Sequence, residues 1–281
     1  MPFLALLLAL GAQHLAPPPR GWPDAAYGRV ALWLAQRLDA GDRLTGALAL
    51  AMLLAATCLP VALLAWLAAA VHPLALLALN VAALFVSLRF FQTTAALSAS
   101  EQAVRGGDLA VAQPAALRAM REAHHGTFAM LFWFAILPGP VGLVLHPALR
   151  RAAELWALGE GGEARAFGRV ARQAFYWVDW LPQRLTALTF AVVGNFEDAL
   201  YCWRTQAVPG QPARDAVVVA AGAGALGFQL ADAAPALGEP APLVGTGEPA
   251  GEDALGSLGG LLWRALVLWV IAFAVLAAIA A

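Results

Sequence analysis

From Leu44 to Leu88 the chain runs for forty-five residues without Asp, Glu, Lys or Arg. A helix needs roughly 20 apolar residues to cross a hydrocarbon core. This run therefore holds two spans, about 45–70 and 73–89, with the natural turn at His72-Pro73. A third apolar stretch closes the chain at 261–281, with Trp263 and Arg264 near one end. Soluble domains carry about 25% charged residues; this chain of 281 residues has 12%, with 61% hydrophobic. These features predict an all-α protein: a polytopic helical membrane protein with broken or re-entrant helices and cytoplasmic amphipathic helices. All of residues 1–281 read as one integral membrane domain, with the lipid bilayer as its first partner.

Charge narrows the function. Net charge is −1, which gives no basic footprint for nucleic acid. All 17 basic residues are arginine. The chain thus has no lysine for a phosphate-binding loop, a Schiff base or a general base. Anion binding must use arginine, helix N-termini or a metal. Cys58 and Cys202 stand alone and give neither metal spacing nor a disulfide framework. The two uncharged spans are flanked by Arg20, Arg29, Arg37 and Arg43 on one side and Arg89, Arg105, Arg118 and Arg121 on the other. By the positive-inside rule both flanks are expected in the cytoplasm.

Shorter elements fill the remainder. Residues 2–16 read as a membrane-inserted or interfacial helix ended by Pro17, Pro18 and Pro19. Residues 30–38 read as an amphipathic surface helix. Residues 94–104 and 114–121 are helical around a Gly106-Gly107-Asp108 turn. Residues 216–227, AVVVAAGAGALG, contain a literal G-x-G-x-x-G. Without a βαβ unit around it, this reads as a small-residue packing helix rather than a dinucleotide loop. Turns are expected at 159–162 and 209–215, and a Pro/Gly-rich loop at 235–251.

Two stretches can carry chemistry. Residues 123–149 begin His124-His125-Gly126-Thr127 and are broken by Leu137-Pro138-Gly139-Pro140. Proline and glycine at that depth free backbone groups that must face protein or a wet cavity, and such breaks often hold binding sites. Neighbouring histidines point to different faces of an α-helix, so a shared metal is not expected, and no metal site is assigned. His125 remains a candidate base or phosphate contact, with Arg121 and Glu122 one turn away. The second stretch is a short buried helix at 182–203, starting at Pro182, with Asp179 placed to cap it or to pair with Arg184. Taken as one helix, Arg184, Asn195 and Asp198 share a face, yet Arg184 and Asn195 lie about 16 Å apart along it. They meet only if Gly194 breaks the helix. Asn195, Glu197 and Asp198 together suit a cation or amine, and Trp180 nearby suits a flat ligand. The two polar clusters are expected to converge.

The sequence Asp179–Arg204, DWLPQRLTALTFAVVGNFEDALYCWR, resembles the CobD/CbiB family of membrane proteins and their relative AmpE. HHGTFAMLFWFAILPGPVGLVLHPAL resembles another block of that family, and weaker similarity follows the chain from end to end. The resemblance implies a bacterial inner (cytoplasmic) membrane protein of cobalamin biosynthesis. Its reaction would be ATP-dependent amide attachment of the aminopropanol arm, or its phosphate, to adenosylcobyric acid. The implied cofactors are ATP and Mg²⁺, with no bound prosthetic group and a corrinoid as substrate. Asp179, Arg184, Glu122 and His125 then become candidate catalytic residues; Arg121, Trp180, Asn195, Glu197 and Asp198 become candidate substrate contacts. The chain departs from the family pattern in places. Val178 stands where an acid is expected, REAHHGT replaces a Gly-Arg-Asp motif, and ALRRAAEL and ARDAVVVAAGAGAL replace two polar runs. This leaves open a divergent synthase, a member that kept the fold and changed the reaction, and an AmpE-like signalling or scaffold protein without catalysis.

Overall fold

A computed structural model describes residues 2–16, 18, 22–157, 166–207, 215–231 and 243–279. The expected turns at 159–162 and 209–214, Pro17, Pro19 and residues 235–242 lie outside them. The chain is built from helices and divides into two compact units. Residues 1–88, 129–180 and 276–281 form the first; residues 89–128 and 181–275 form the second. Three apolar helical runs are long enough to cross a membrane: Arg43–Val71, Pro73–Arg105 and Asp253–Ile279.

The first unit opens with α1 (Pro2–Leu15), α2 (Trp22–Leu38), α3 (Arg43–Val71) and α4 (Pro73–Ser87). Asp42 caps α3, its carboxylate accepting from the Thr45 hydroxyl at 2.6 Å and amide at 2.8 Å. Those bonds, the hydroxyl's first, hold its carboxyl below the usual range. His72 forms the expected turn: extended backbone places its ring Nδ1 to accept from the Leu74 amide at 3.1 Å, and Pro73 starts α4. At the other end of α4, the buried Gln13 of α1 donates to the carbonyls of Phe85 and Leu88. Those terminal carbonyls have no partner inside their own helix. After the second unit's first segment, the unit resumes as α7 (Ala129–Ile136) and α8 (Val141–Leu155). The break expected in 123–149 falls at 137–140, where Gly139 adopts φ +62. A core of Ala31, Leu34, Leu50, Leu53, Leu149, Trp156, Phe167 and Phe175 joins α2, α3, α8 and the start of α9 (Ala166–Val193). The Trp156 indole donates to Ala31 O at 2.9 Å, satisfying its one polar group.

The second unit takes α5 (Phe90–Arg105), a 3₁₀ turn (Leu109–Val111), α6 (Ala112–Ala123) and a π turn (His124–Phe128). It continues with the second half of α9, α10 (Phe196–Gln206), α11 (Ala216–Leu226) and α12 (Glu252–Ile279) up to Val275. The Gly-rich run is indeed a helix, buried from Val218 to Ala225. Small residues let backbones close up: a Cβ on Gly224 would stand 2.5 Å from Asp198 O. The sequence reading contained no strand. The structure adds three short ones after α11: β1 (Phe228–Ala231), β2 (Leu243–Gly245) and β3 (Glu248–Pro249). β1 lies in the middle, antiparallel to β2 and parallel to β3. Gln206 fastens β2 by donating to Gly245 O and accepting from Gly245 N.

α9 corrects one expectation. Pro182 does not start a helix; it lies inside a helix of 28 residues. Proline removes one backbone donor and strains one carbonyl, at a cost of about 3 kcal/mol or more. The amphipathic packing of Phe167, Ala171 and Phe175 before it, and of Ala187, Phe190 and Ala191 after it, supplies burial on both sides. The expected helix at 182–203 is therefore two helices that part at Gly194-Asn195.

Candidate functional site

In the second unit, α6 does not end at Ala123. It widens into the π turn over His124–Phe128, all five residues buried. A π turn bonds each amide to a carbonyl five residues back, which shrinks the angular step between neighbours. The rings of His124 and His125 consequently stand 4.6 Å apart. The expectation that adjacent histidines diverge fails here because it assumed α geometry. The wide turn also presents Gly126 O outward, where it accepts from Arg89 N at 2.9 Å. A Cβ on Gly126 would meet Arg89 Cβ at 3.0 Å.

Asp215 joins this turn from the start of α11. It is the one non-glycine residue with positive φ among the described residues, at φ 47 and ψ 34. That left-handed conformation is uncommon for a residue with a Cβ, though Asp tolerates it better than most. The side chain is buried, and its Oδ2 lies 2.9 Å from His125 Nε2 and 4.0 Å from Arg121 Nε. His124 Nδ1 lies 2.9 Å from the Thr186 hydroxyl on α9. His124, His125 and Asp215 can each offer one donor atom within 4.8 Å of the others. Arg89 and Glu122 form an ion pair at 3.8 Å. Burying a carboxylate is costly unless it is paired and hydrogen-bonded, and here a histidine and an arginine share that task.

The other predicted residues are placed differently. Asp179 neither caps a helix nor precedes one; it sits within α9, wholly buried, with Oδ1 2.8 Å from Nε2 of the equally buried His146 on α8. This His–Asp pair belongs to the first unit. Trp180 follows with more than a third of its surface exposed, and Arg184 is half-buried one turn later on the same helix. Asn195 is the cap of α10: its Oδ1 accepts from Asp198 N, and its Nδ2 donates to Asp198 Oδ2 at 2.7 Å. Glu197 is exposed in the first turn of α10. Within the second unit, Arg121 lies by Asp215 and Glu122 by Arg89, whereas Asp198 is tied to Asn195. Arg121 and His125 are thus brought together.

Sequence reasoning noted the His124-His125 pair but missed Asp215, Thr186 and His146. Asp215 had no signal beyond an acid just ahead of an apolar run, because its left-handed backbone is set by the fold. His146 had one: a histidine before Pro147 in an otherwise uncharged segment.

Three apolar helical runs long enough to cross a membrane, in a chain built from helices, make this a polytopic membrane protein of the all-α class. The family described as "Regulatory signalling modulator protein AmpE" matches residues 102–219, a stretch that contains Arg121, His124, His125, Thr186 and Asp215. Two curated relatives carry the name "Cobalamin biosynthesis protein CobD". The one from Stutzerimonas stutzeri (strain A1501) is 32% identical over 163 residues, 57% of this chain and 53% of the relative, so the match spans about half of that protein's length. The one from Chromobacterium violaceum is 29% identical over 299 aligned positions, 95% of this chain and 93% of the relative. No solved structure matches. The chain is thus similar to proteins named CobD and, over residues 102–219, to AmpE.

Proposed function

We propose that this protein works in cobalamin biosynthesis at the bacterial inner membrane. Its reaction, on this reading, is amide attachment of the aminopropanol arm, or its phosphate, to adenosylcobyric acid. The observation that supports it is similarity to CobD along 95% of the chain, together with a buried polar site in the second unit. An amide-forming centre must hold an amine beside a carboxyl group, shielded from water. The cluster of Arg121, His124, His125 and Asp215 offers a buried carboxylate and imidazoles for the amine, and a guanidinium for an anionic arm or carboxyl.

Mg²⁺ and ATP, which the resemblance implies, fit this donor set poorly. Mg²⁺ prefers oxygen ligands in near-octahedral geometry. The cluster in the second unit offers two imidazoles and a single carboxylate already engaged by His125. No step of the reaction is assigned to them here.

The AmpE match over 102–219 favours a second reading, a signalling or scaffold protein without catalysis. Expression in a bacterium lacking its own aminopropanol-attaching synthase separates the two. Cobinamide formed from cobyric acid, and lost in His125→Ala and Asp215→Ala, is the expected result. A folded, membrane-inserted protein that yields no product would leave the AmpE-like reading in its place.

A further inference from the structure

We infer that His124, His125 and Asp215 form a binding site for a divalent transition-metal ion of the zinc class. Three observations carry this. The three side chains converge from two separate elements, with one donor atom each inside a 4.8 Å span. All three are buried, where an ion would be shielded from competing water. Finally, both elements depart from regular backbone at the ligand positions: a π turn at His124-His125 and left-handed φ at Asp215. Unusual backbone of this kind persists where surrounding structure enforces it, and it clusters at functional sites.

Donor chemistry selects the ion. Two imidazoles and one carboxylate suit zinc and its neighbours and disfavour Mg²⁺ and Ca²⁺. Bonds of about 2.0–2.2 Å in tetrahedral geometry place donors roughly 3.4 Å apart, so small side-chain rotations close the site around an ion. Outer contacts are in place as well. Thr186 Oγ1 holds His124 Nδ1 at 2.9 Å, and Arg121 stands 4.0 Å from the Asp215 carboxylate. Such contacts orient ligands and fix tautomers. With the ion bound, His125 and Asp215 act as ligands rather than as a base.

The inference stands apart from the synthase reading, because its readout is metal and not product. The full chain is purified in detergent, stripped with chelator and titrated with Zn²⁺ and Co²⁺. The expected result is about one tightly held ion per chain, a tetrahedral Co²⁺ absorption spectrum and a raised unfolding temperature. His124→Gln and Asp215→Asn lose the ion. Thr186→Val weakens it by about 10–100-fold, and Glu197→Gln, a carboxylate at the exposed start of α10, retains it. Stripped wild-type protein that stays folded yet shows neither the cobalt spectrum nor a thermal shift would overturn the inference, whatever the variants do. So would an ion held equally well by Asp215→Asn.

Discussion

Asn195 illustrates how one residue type can point to two roles. In sequence it stands among acids after an apolar run and reads as part of a cation or amine site. In the structure its side chain both accepts from and donates to Asp198, closing the first turn of α10. Replacing such a cap by alanine costs about 1 kcal/mol. Asn195→Ala is therefore expected to lower the unfolding temperature in detergent, with Asn195→Ser, whose hydroxyl can both accept and donate, restoring part of the loss. Product formation that collapses while stability holds would instead make Asn195 a substrate contact. Asp215 was illegible for the opposite reason. Its neighbours give no hint of a left-handed backbone, and its partner His125 lies ninety positions earlier. Asp179 was noticed, but its partner His146 was not, because the pairing depends on how α8 and α9 face each other.

Elements were read well wherever one local rule decides. The hairpin of α3 and α4 turns at His72-Pro73, since a proline and an N-cap acceptor mark a helix start unambiguously. The Gly106-Gly107 turn and the small-residue α11 follow likewise. Readings failed where packing overrides the local rule. Pro182 would break an isolated helix, yet α9 runs through it. The His124-His125 pair diverges on an α-helix and converges on a π turn. The short sheet after α11 escaped because strands of two to four residues have no periodicity to detect. The tie between α1 and α4 offers a test at this scale. Gln13 supplies donors to two carbonyls at 2.6 and 2.8 Å, and Gln13→Leu leaves them without that donor. A loss of about 1–3 kcal/mol is expected, measured by thermal unfolding, while Gln13→Asn, one methylene too short, recovers little of it.

For the whole molecule, arginine distribution makes a claim about sidedness. Residues before α3 are expected in the cytoplasm and the His72 turn on the far side. With Cys58 and Cys202 replaced by alanine, Ala40→Cys should react with a membrane-impermeant thiol reagent only in inside-out vesicles. His72→Cys should react only from the outside of intact cells, and the reverse pattern would invert the topology. The division into two units bears on a different matter, the order of biosynthesis. The chain passes from one unit to the other after Leu88, Phe128, Trp180 and Val275, so neither unit is a continuous stretch. A ribosome adding about 5–20 residues per second needs roughly 2–8 s to make residues 89–128 before the first unit's next helices begin to emerge. During that interval α1 to α4 stand in or near the bilayer without α7 and α8. The Gln13 tie joins two of those early helices by contacts already synthesised. Insertion is thus set up to proceed in instalments, with an unfinished first unit waiting on the translating ribosome for the rest of its own core.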